Sequence, residues 1–233
     1  MFRTFVVVVF VIFYCSVFGQ DTVNIKDLQG RKQGYWRKSD SVGRVIYVGH
    51  FKDGVPVGEF RYYYPDGKLK TVSLLSKQGK RAVTISYFTN GMKMASGIYI
   101  NEKKDSTWHF FSEENGKLVS EEHYKDGLID GLSKVFFPEG GLSELNVYKQ
   151  GIKDGLWEQY YDDGKIKLRG AFKSGEKQGA FKIFYPSGHF MISGQYNTGH
   201  QDGTWFYYNE KGATEKKEIY RNGLLIKVEE TAK

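Results

Sequence analysis

The sequence predicts an all-β fold, an elongated single sheet of about eight antiparallel β-hairpins, each 24 residues long. Two observations carry this prediction. Glycines recur with a fixed period along almost the whole chain, and aromatic residues recur in step with them. The composition agrees, because 28 Gly, 17 Tyr, 17 Phe and only 4 Pro are typical of tight turns that join aromatic strands.

Three series of glycines share the period of 24 or 25 residues. Glycine adopts a positive φ at little cost, so recurrent glycines indicate recurrent turns. The glycines that define the repeat are Gly54, Gly58, Gly67, Gly127, Gly131, Gly151, Gly155, Gly164, Gly175, Gly179, Gly188, Gly199, Gly203 and Gly212. Such a repeat predicts an extended surface rather than a pocket.

Residues 1–19 are typical of a secretory signal peptide: a basic start at Arg3, an apolar run to Tyr14, and modest side chains before Gly19. We therefore expect a signal peptide at 1–19 and a repeat domain at 20–233. An uncleaved membrane anchor remains the alternative. Cys15 would leave with the signal, so the mature chain would have no disulfide or thiol chemistry. The protein is expected to be periplasmic, associated with the outer envelope, or secreted.

One unit, residues 155–179, illustrates the repeat. Residues 156–161 and 166–172 are predicted strands, and Asp163-Gly164 is a hairpin signal between them. Residues 173–179 are predicted to form a longer polar turn. Repetition of this unit gives one meander.

Side-chain alternation assigns the two faces of this unit. One face is predicted to be buried, with Gly170 leaving room for a ring, and the other to be basic and solvated. The buried face takes Trp157, Tyr161, Ile166, Leu168 and Phe172, and the basic face takes Lys165, Lys167 and Arg169.

Aromatic residues recur at fixed positions of the unit. Those that define the repeat are Trp36, Tyr124, Tyr148, Trp157, Tyr161, Phe172, Tyr196 and Trp205. Thr84, Lys103 and Ser133 interrupt the pattern, and we expect a bulge or an irregular turn between residues 77 and 104. Residues 28–36 are a half unit and residues 224–228 are a last strand, and both are expected to cap the ends.

The sequence offers no catalytic, cofactor or metal motif. Its five histidines have no metal-ligand spacing, and most turn carboxylates adjoin a glycine, where they favour turn formation. The net charge of +7 is compatible with an anionic partner. The residues predicted to face an anion are Lys68, Lys70, Lys165, Lys167 and Arg169. Their stripe is broken, so nucleic acid is not an expected partner.

The pattern Tyr-x-x-Gly-x-x-x-Gly-x-Trp-x-x-Tyr-Tyr-x-x-Gly occurs at residues 148–164 and, with substitutions, at 172–188 and 196–212. It resembles the MORN repeat, especially its bacterial variant. The resemblance implies a stack of hairpins that binds proteins or lipid surfaces without catalysis. Some members of the variant family are labelled antitoxin-like, so an immunity-type or antitoxin-type partner is one implied role.

Residues 205–212 also resemble the aromatic hairpins of choline-binding or glucan-binding repeats, which implies aromatic-cage binding of a glycan or choline. The leading hypothesis is an exported, non-enzymatic protein-binding or scaffolding module at the bacterial envelope, whose partner is an unidentified protein or envelope component. An anionic membrane surface is the alternative partner. Antitoxin-type and aromatic-cage binding remain open.

Overall fold

The computed structural model describes residues 23–230, and these form one meandering sheet of 19 strands. The predicted all-β, single-sheet fold of antiparallel hairpins is confirmed. The predicted signal peptide and Cys15 lie outside the described residues. Within residues 23–230 no helix is long and apolar enough to cross a membrane.

Each strand pairs antiparallel with its neighbours along the chain. Most strands have seven to nine residues, and the two-residue strands β1 and β14 are additions to the predicted hairpins. The strands are β1 (Ile25–Lys26), β2 (Lys32–Ser39), β3 (Val45–Lys52), β4 (Val55–Tyr63), β5 (Leu69–Ser76), β6 (Arg81–Tyr87), β7 (Lys93–Ile100), β8 (Lys103–Phe111), β9 (Leu118–Lys125), β10 (Leu128–Phe136), β11 (Leu142–Lys149), β12 (Ile152–Tyr160), β13 (Ile166–Lys173), β14 (Glu176–Lys177), β15 (Gly179–Phe184), β16 (Phe190–Asn197), β17 (His200–Tyr208), β18 (Thr214–Arg221) and β19 (Leu224–Glu230).

Two kinds of turn alternate, and their lengths are the reverse of the prediction. The segment 173–179, expected as a long polar turn, contains a two-residue turn at Ser174-Gly175 with φ of 51° and 89°. Lys173 and Glu176 pair directly across it. Two successive positive φ values match the right-handed twist of the flanking strands, which explains why the tighter turn forms here.

The Asp163-Gly164 turn is the longer one. The Tyr161 amide donates to the Lys165 carbonyl, and the pairing shifts between Gln159 and Tyr160. The extra residue at this shift is Lys167 in β13. Tyr161, which the sequence predicts on the buried face with Trp157, is half-buried, and its hydroxyl donates to the Phe184 carbonyl of the next unit at 2.6 Å.

The same tie between units occurs elsewhere. The Tyr64 hydroxyl donates to the Tyr87 carbonyl at 2.8 Å, and that of Tyr185 donates to the Tyr208 carbonyl at 2.9 Å. Each bond joins residues 23 positions apart. The repeated tyrosine therefore connects successive hairpins rather than filling the core.

One of the three glycine series, which we call the third series, marks β-bulges and consists of Gly34, Gly58, Gly131, Gly155, Gly179 and Gly203. Its six members have φ between 67° and 126°, and the pairing shifts beside Gly58, Gly131, Gly155 and Gly203. Ser106 occupies the same repeat position with φ of 60°, and the shift is retained there. Ala82 also occupies it, and the β5–β6 pairing is free of shifts. The residue at this position thus decides whether a bulge forms.

An irregular turn precedes Ala82, as expected for residues 77–104. Lys77, Gln78 and Gly79 have φ of 49°, 57° and 80° in succession. Non-glycine residues in this region are uncommon. The departure from the repeat therefore combines an unusual turn with the loss of a bulge.

Substitution of Ser106 by glycine should stabilise the fold, because glycine relieves the cost of a left-handed φ. We expect a gain of about 1 kcal/mol in the free energy of unfolding. Ala82→Gly is the matched control at the same repeat position, and it should cost about 0.5–1 kcal/mol because Ala82 lies in regular strand. Urea unfolding of both variants measures this, and equal effects would contradict the bulge assignment.

Candidate binding surface

One row of cross-strand neighbours crosses the sheet and alternates large rings with small or polar residues. We call the face that carries it the ring face and the opposite side the reverse face. In chain order the row consists of Trp36, Gly49, Phe60, Ser73, Thr84, Gly97, Trp108, Glu122, Ser133, Asn146, Trp157, Gly170, Phe181, Gly194, Trp205, Glu218 and Val228.

The rings of this row cover the glycines of the preceding strand. A Cβ at Gly97 would lie 2.3 Å from the Trp108 ring, and one at Gly194 would lie 2.3 Å from the Trp205 ring. Trp108 and Trp205 are each only 2% exposed. Full burial of a large apolar side chain stabilises a fold by roughly 1.5–3 kcal/mol. The absence of a side chain at glycine therefore permits the burial that holds adjacent hairpins together.

Where a ring is absent from the row, the preceding glycine is absent too. Thr84 follows Ser73, and Ser133 follows Glu122. The Ser73 and Thr84 hydroxyls form a hydrogen bond of 3.0 Å in place of the ring contact. The interruptions predicted at Thr84 and Ser133 are thus paired substitutions of two neighbouring strands.

Asn146 is the exception, because it is not a glycine although the next residue of the row is a ring, that of Trp157. The Trp157 ring packs on the following strand instead. It lies 3.4 Å from the Cβ position of Gly170, and its centroid lies 5.3 Å from that of Phe172. Gly170 therefore leaves room for a ring, as predicted. Within residues 23–230, the buried Asn146 Oδ1 and Trp157 Nε1 have no hydrogen-bond partner.

Lysine ammonium groups lie over aromatic rings at one position of the repeat. The sequence analysis did not identify this position. Its lysines are Lys32, Lys104, Lys153 and Lys177. The Lys104 ammonium lies 4.6–4.8 Å from the ring centroids of Trp108, Phe110 and Tyr124. Burial lowers the pKa of Lys104, and the Glu122 carboxylate opposes that shift. A lysine two residues before the third-series glycine is the signal that would have identified this position.

Polar groups occupy the space around Ser133, where the row lacks a ring. The Tyr124 hydroxyl donates to the Glu122 carboxylate at 2.6 Å. Burial raises the pKa of Tyr124 far above its usual range, and this hydrogen bond adds to the shift. The Asn146 amide donates to Glu144 at 2.7 Å. This part of the ring face is occupied by its own side chains.

The reverse face is not uniformly basic and solvated, which corrects the prediction. The Glu158 carboxylate is buried there and pairs with Arg169 at 2.6 Å. Around β5 and β6 the reverse face becomes apolar, and Leu74 and Val83 are cross-strand partners that are 56% and 40% exposed. We call this set the reverse-face patch: Val72, Leu74, Val83, Ile85 and Ile98.

The five predicted anion-facing residues have partners within the chain. Lys68 pairs with Asp66 at 3.5 Å and Lys165 with Asp163 at 2.8 Å, and Arg169 is held by Glu158. The Lys70 and Lys167 ammonium groups lie 5.5 Å and 5.9 Å from the Tyr64 and Tyr161 rings. The structure distributes these cations over separate units and does not bring all five together.

The repeat-defining residues fall into four structural roles. Trp36, Trp157 and Trp205 belong to the ring row, and Tyr161 ties adjacent units. The remaining aromatics line the ring face beside that row, namely Tyr124, Tyr148, Phe172 and Tyr196. The glycines occupy the turns and bulges. In the part of the chain described, no three His, Cys, Asp or Glu side chains come together as metal ligands.

The fold and this surface define a β-hairpin repeat protein. The family model described as MORN repeat variant matches residues 56–73, 110–126 and 153–174. At these three stretches the chain matches MORN repeats of the variant type. Among curated proteins, none matches the chain.

Alanine at Gly194 should destabilise the sheet more than alanine at Gly170. A Cβ at Gly170 would lie 3.2 Å from the Phe181 ring, against 2.3 Å for Gly194 and Trp205. Overpacking of this kind costs about 1–3 kcal/mol, and we expect Gly194→Ala at the upper end and Gly170→Ala at the lower end. Thermal unfolding followed by circular dichroism tests this order, and a reversed order would contradict ring-on-glycine packing.

Proposed function

We propose that this protein is an exported, non-enzymatic repeat module that binds another protein at the bacterial envelope. MORN repeats commonly mediate protein or membrane binding, and those of this chain support a binding role. The single observation that favours a protein partner is the reverse-face patch. The predicted signal peptide supports export.

The reverse-face patch arises because the unit around β5 and β6 carries hydroxyl side chains on the ring face and aliphatic side chains on the reverse face. Its ring face carries hydroxyls, with Ser73 bonded to Thr84 at 3.0 Å and Thr71 to Ser86 at 3.2 Å. Val72, Leu74, Val83 and Ile85 alternate with these hydroxyls and therefore point to the other side of the strands, whereas Leu75 stays on the ring face. Exposed apolar side chains that cluster in this way are typical of interaction surfaces.

The border of the patch is charged, as expected of a protein interface. Glu59 and Arg61 are the cross-strand neighbours of Leu74 and Val72, and they form an ion pair. An apolar centre with a polar rim is the usual anatomy of protein–protein contacts. A partner of complementary apolar surface would gain roughly 25 cal/mol for each Å² of apolar area buried.

An anionic membrane is the less favoured partner. Three of the five candidate cations, Lys68, Lys165 and Arg169, are already paired with carboxylates. Such pairing reduces the positive potential that anionic lipid would meet. An immunity-type or antitoxin-type role would be one case of protein binding, with the toxin as the partner.

Charge introduced into the patch should abolish partner capture. Residues 20–233 are used to capture proteins from envelope extract, and the captured partner is then titrated against the wild type and Leu74→Lys/Val83→Lys. We expect affinity to fall at least about tenfold, because the lysines place charge in an apolar contact. Leu156→Lys is the control, since Leu156 is 40% exposed on the same face but lies far from the patch.

Equal affinity of the patch variant and the control would contradict the proposed surface. Sedimentation with liposomes that contain an anionic lipid, at low salt, tests the alternative. Strong liposome binding together with failure to capture any protein would replace the protein-binding proposal with the membrane one.

A further inference from the structure

We infer that the ring face carries a separate binding groove for a neutral saccharide, over the strands where the ring row is interrupted. The groove lies between the rings of β3 and β4 on one side and Tyr99 of β7 on the other. Its volume is about 460 Å³, within the range of about 300–1,000 Å³ that is usual for small-molecule sites. We call it the hydroxyl groove.

The groove exists because β5 and β6 lack rings in the row. Ser73 and Thr84 replace a glycine and a ring there, and Leu75 and Ala82 are their neighbours along the strands. Three strand spacings of about 4.8 Å separate β4 from β7. A depression about 14 Å wide between backbone centres therefore divides the aromatic surface.

Two hydroxyl residues, Ser73 and Thr84, form the floor of this depression, where they are 8% and 4% exposed and bonded to each other. Thr71 and Ser86 form the next cross-strand pair along the strands, outside the groove lining. Each hydroxyl has one proton to donate and two lone pairs to accept with. The Ser73–Thr84 pair uses one proton, so it retains one proton and further acceptor capacity at the groove floor. Neutral donors and acceptors of this kind complement the hydroxyls of a sugar.

Aromatic rings form the walls. On one side the centroids of Tyr47 and Phe51 lie 5.9 Å and 5.3 Å from that of Phe60, and Tyr62 lies 5.9 Å from Tyr47. On the other side Tyr99 is held edge-on against Trp108 at 4.8 Å. Rings fixed by their neighbours present rigid apolar area at little entropic cost. Such area suits the apolar face of a pyranose ring.

Two wall tyrosines also bring unused hydroxyls. Within residues 23–230, the Tyr62 and Tyr99 hydroxyls have no hydrogen-bond partner, whereas the Tyr47 hydroxyl accepts from Lys32 at 3.3 Å. Burial raises the pKa of both Tyr62 and Tyr99 further above its usual range. A half-buried phenol without a partner gains most from a ligand that supplies one.

The charges at the rim favour a neutral ligand. Lys80 and Glu102 both line the groove, so the rim contributes one charge of each sign. A quaternary ammonium ligand would meet the Lys80 ammonium, and an anionic ligand would meet the Glu102 carboxylate. A neutral saccharide meets neither repulsion and can accept from the first and donate to the second.

The test restores the uninterrupted row. Ser73→Gly/Thr84→Trp introduces the glycine and ring found at Gly97 and Trp108, so it should fill the groove while keeping the sheet. Maltotriose, cellotriose and chitotriose are titrated into the wild type and this variant by isothermal calorimetry at millimolar concentration. We expect at least one trisaccharide to bind the wild type and to lose about tenfold or more in affinity with the variant.

A second pair of variants separates binding from folding. Tyr99→Phe removes one wall hydroxyl and should weaken the same trisaccharide about fivefold, the equivalent of one hydrogen bond. Tyr196→Phe is the matched control, because Tyr196 occupies the same repeat position beside the intact rings of Phe181 and Trp205. It should leave affinity unchanged.

Absence of binding by all three trisaccharides would overturn the inference, as would binding that the row-restoring variant retains. Tighter binding of choline than of any trisaccharide would also overturn it, in favour of a cation cage. These outcomes are independent of protein capture by the reverse-face patch, because the two sites lie on opposite faces of the sheet.

Discussion

The contact of an aromatic ring with the bare backbone of a glycine on the preceding strand is the interaction on which the other features depend. The sheet is a single layer in residues 23–230, and no second layer covers its ring face. Rings such as Trp108 and Trp205 reach almost complete burial only by lying flat over Gly97 and Gly194. Hairpins that cannot bury a core alone thus acquire one jointly with their neighbours.

The same constraint explains why the irregular units are informative. Where the ring is absent, the preceding position no longer has to be glycine. Thr84 stands in place of a ring, and the residue before it in the row is Ser73. The hydroxyl pair replaces the ring-on-glycine contact on the ring face, and Val72, Leu74, Val83 and Ile85 lie on the reverse face. One local exchange of residues therefore creates both the hydroxyl groove and the reverse-face patch. The regular units supply the rigid frame that holds these surfaces in place.

The period of the glycines and aromatics was sufficient to predict the all-β class, the meander and the packing at Gly170. Turn lengths were not predictable in the same way, because Ser174-Gly175 takes two positive φ values that Asp163-Gly164 does not. Simple alternation also misses the bulge at Lys167 and the hydrogen bond by which Tyr161 connects adjacent units. The glycines of the ring row, such as Gly49, Gly97 and Gly194, lie outside the three series of the sequence analysis. Their role became clear only from which strand each ring covers.

A double-mutant cycle at Gly97 and Trp108 tests the central claim most directly. Gly97→Ser, Trp108→Thr and the combined variant are compared by their free energies of unfolding in urea. Ring-on-glycine packing predicts that Gly97→Ser is severe only while Trp108 is present, because Trp108→Thr removes the ring that a side chain at position 97 would meet. The change in the free energy of unfolding of the double variant should then differ from the sum of the two single changes by at least about 1 kcal/mol. Additive effects would contradict the account.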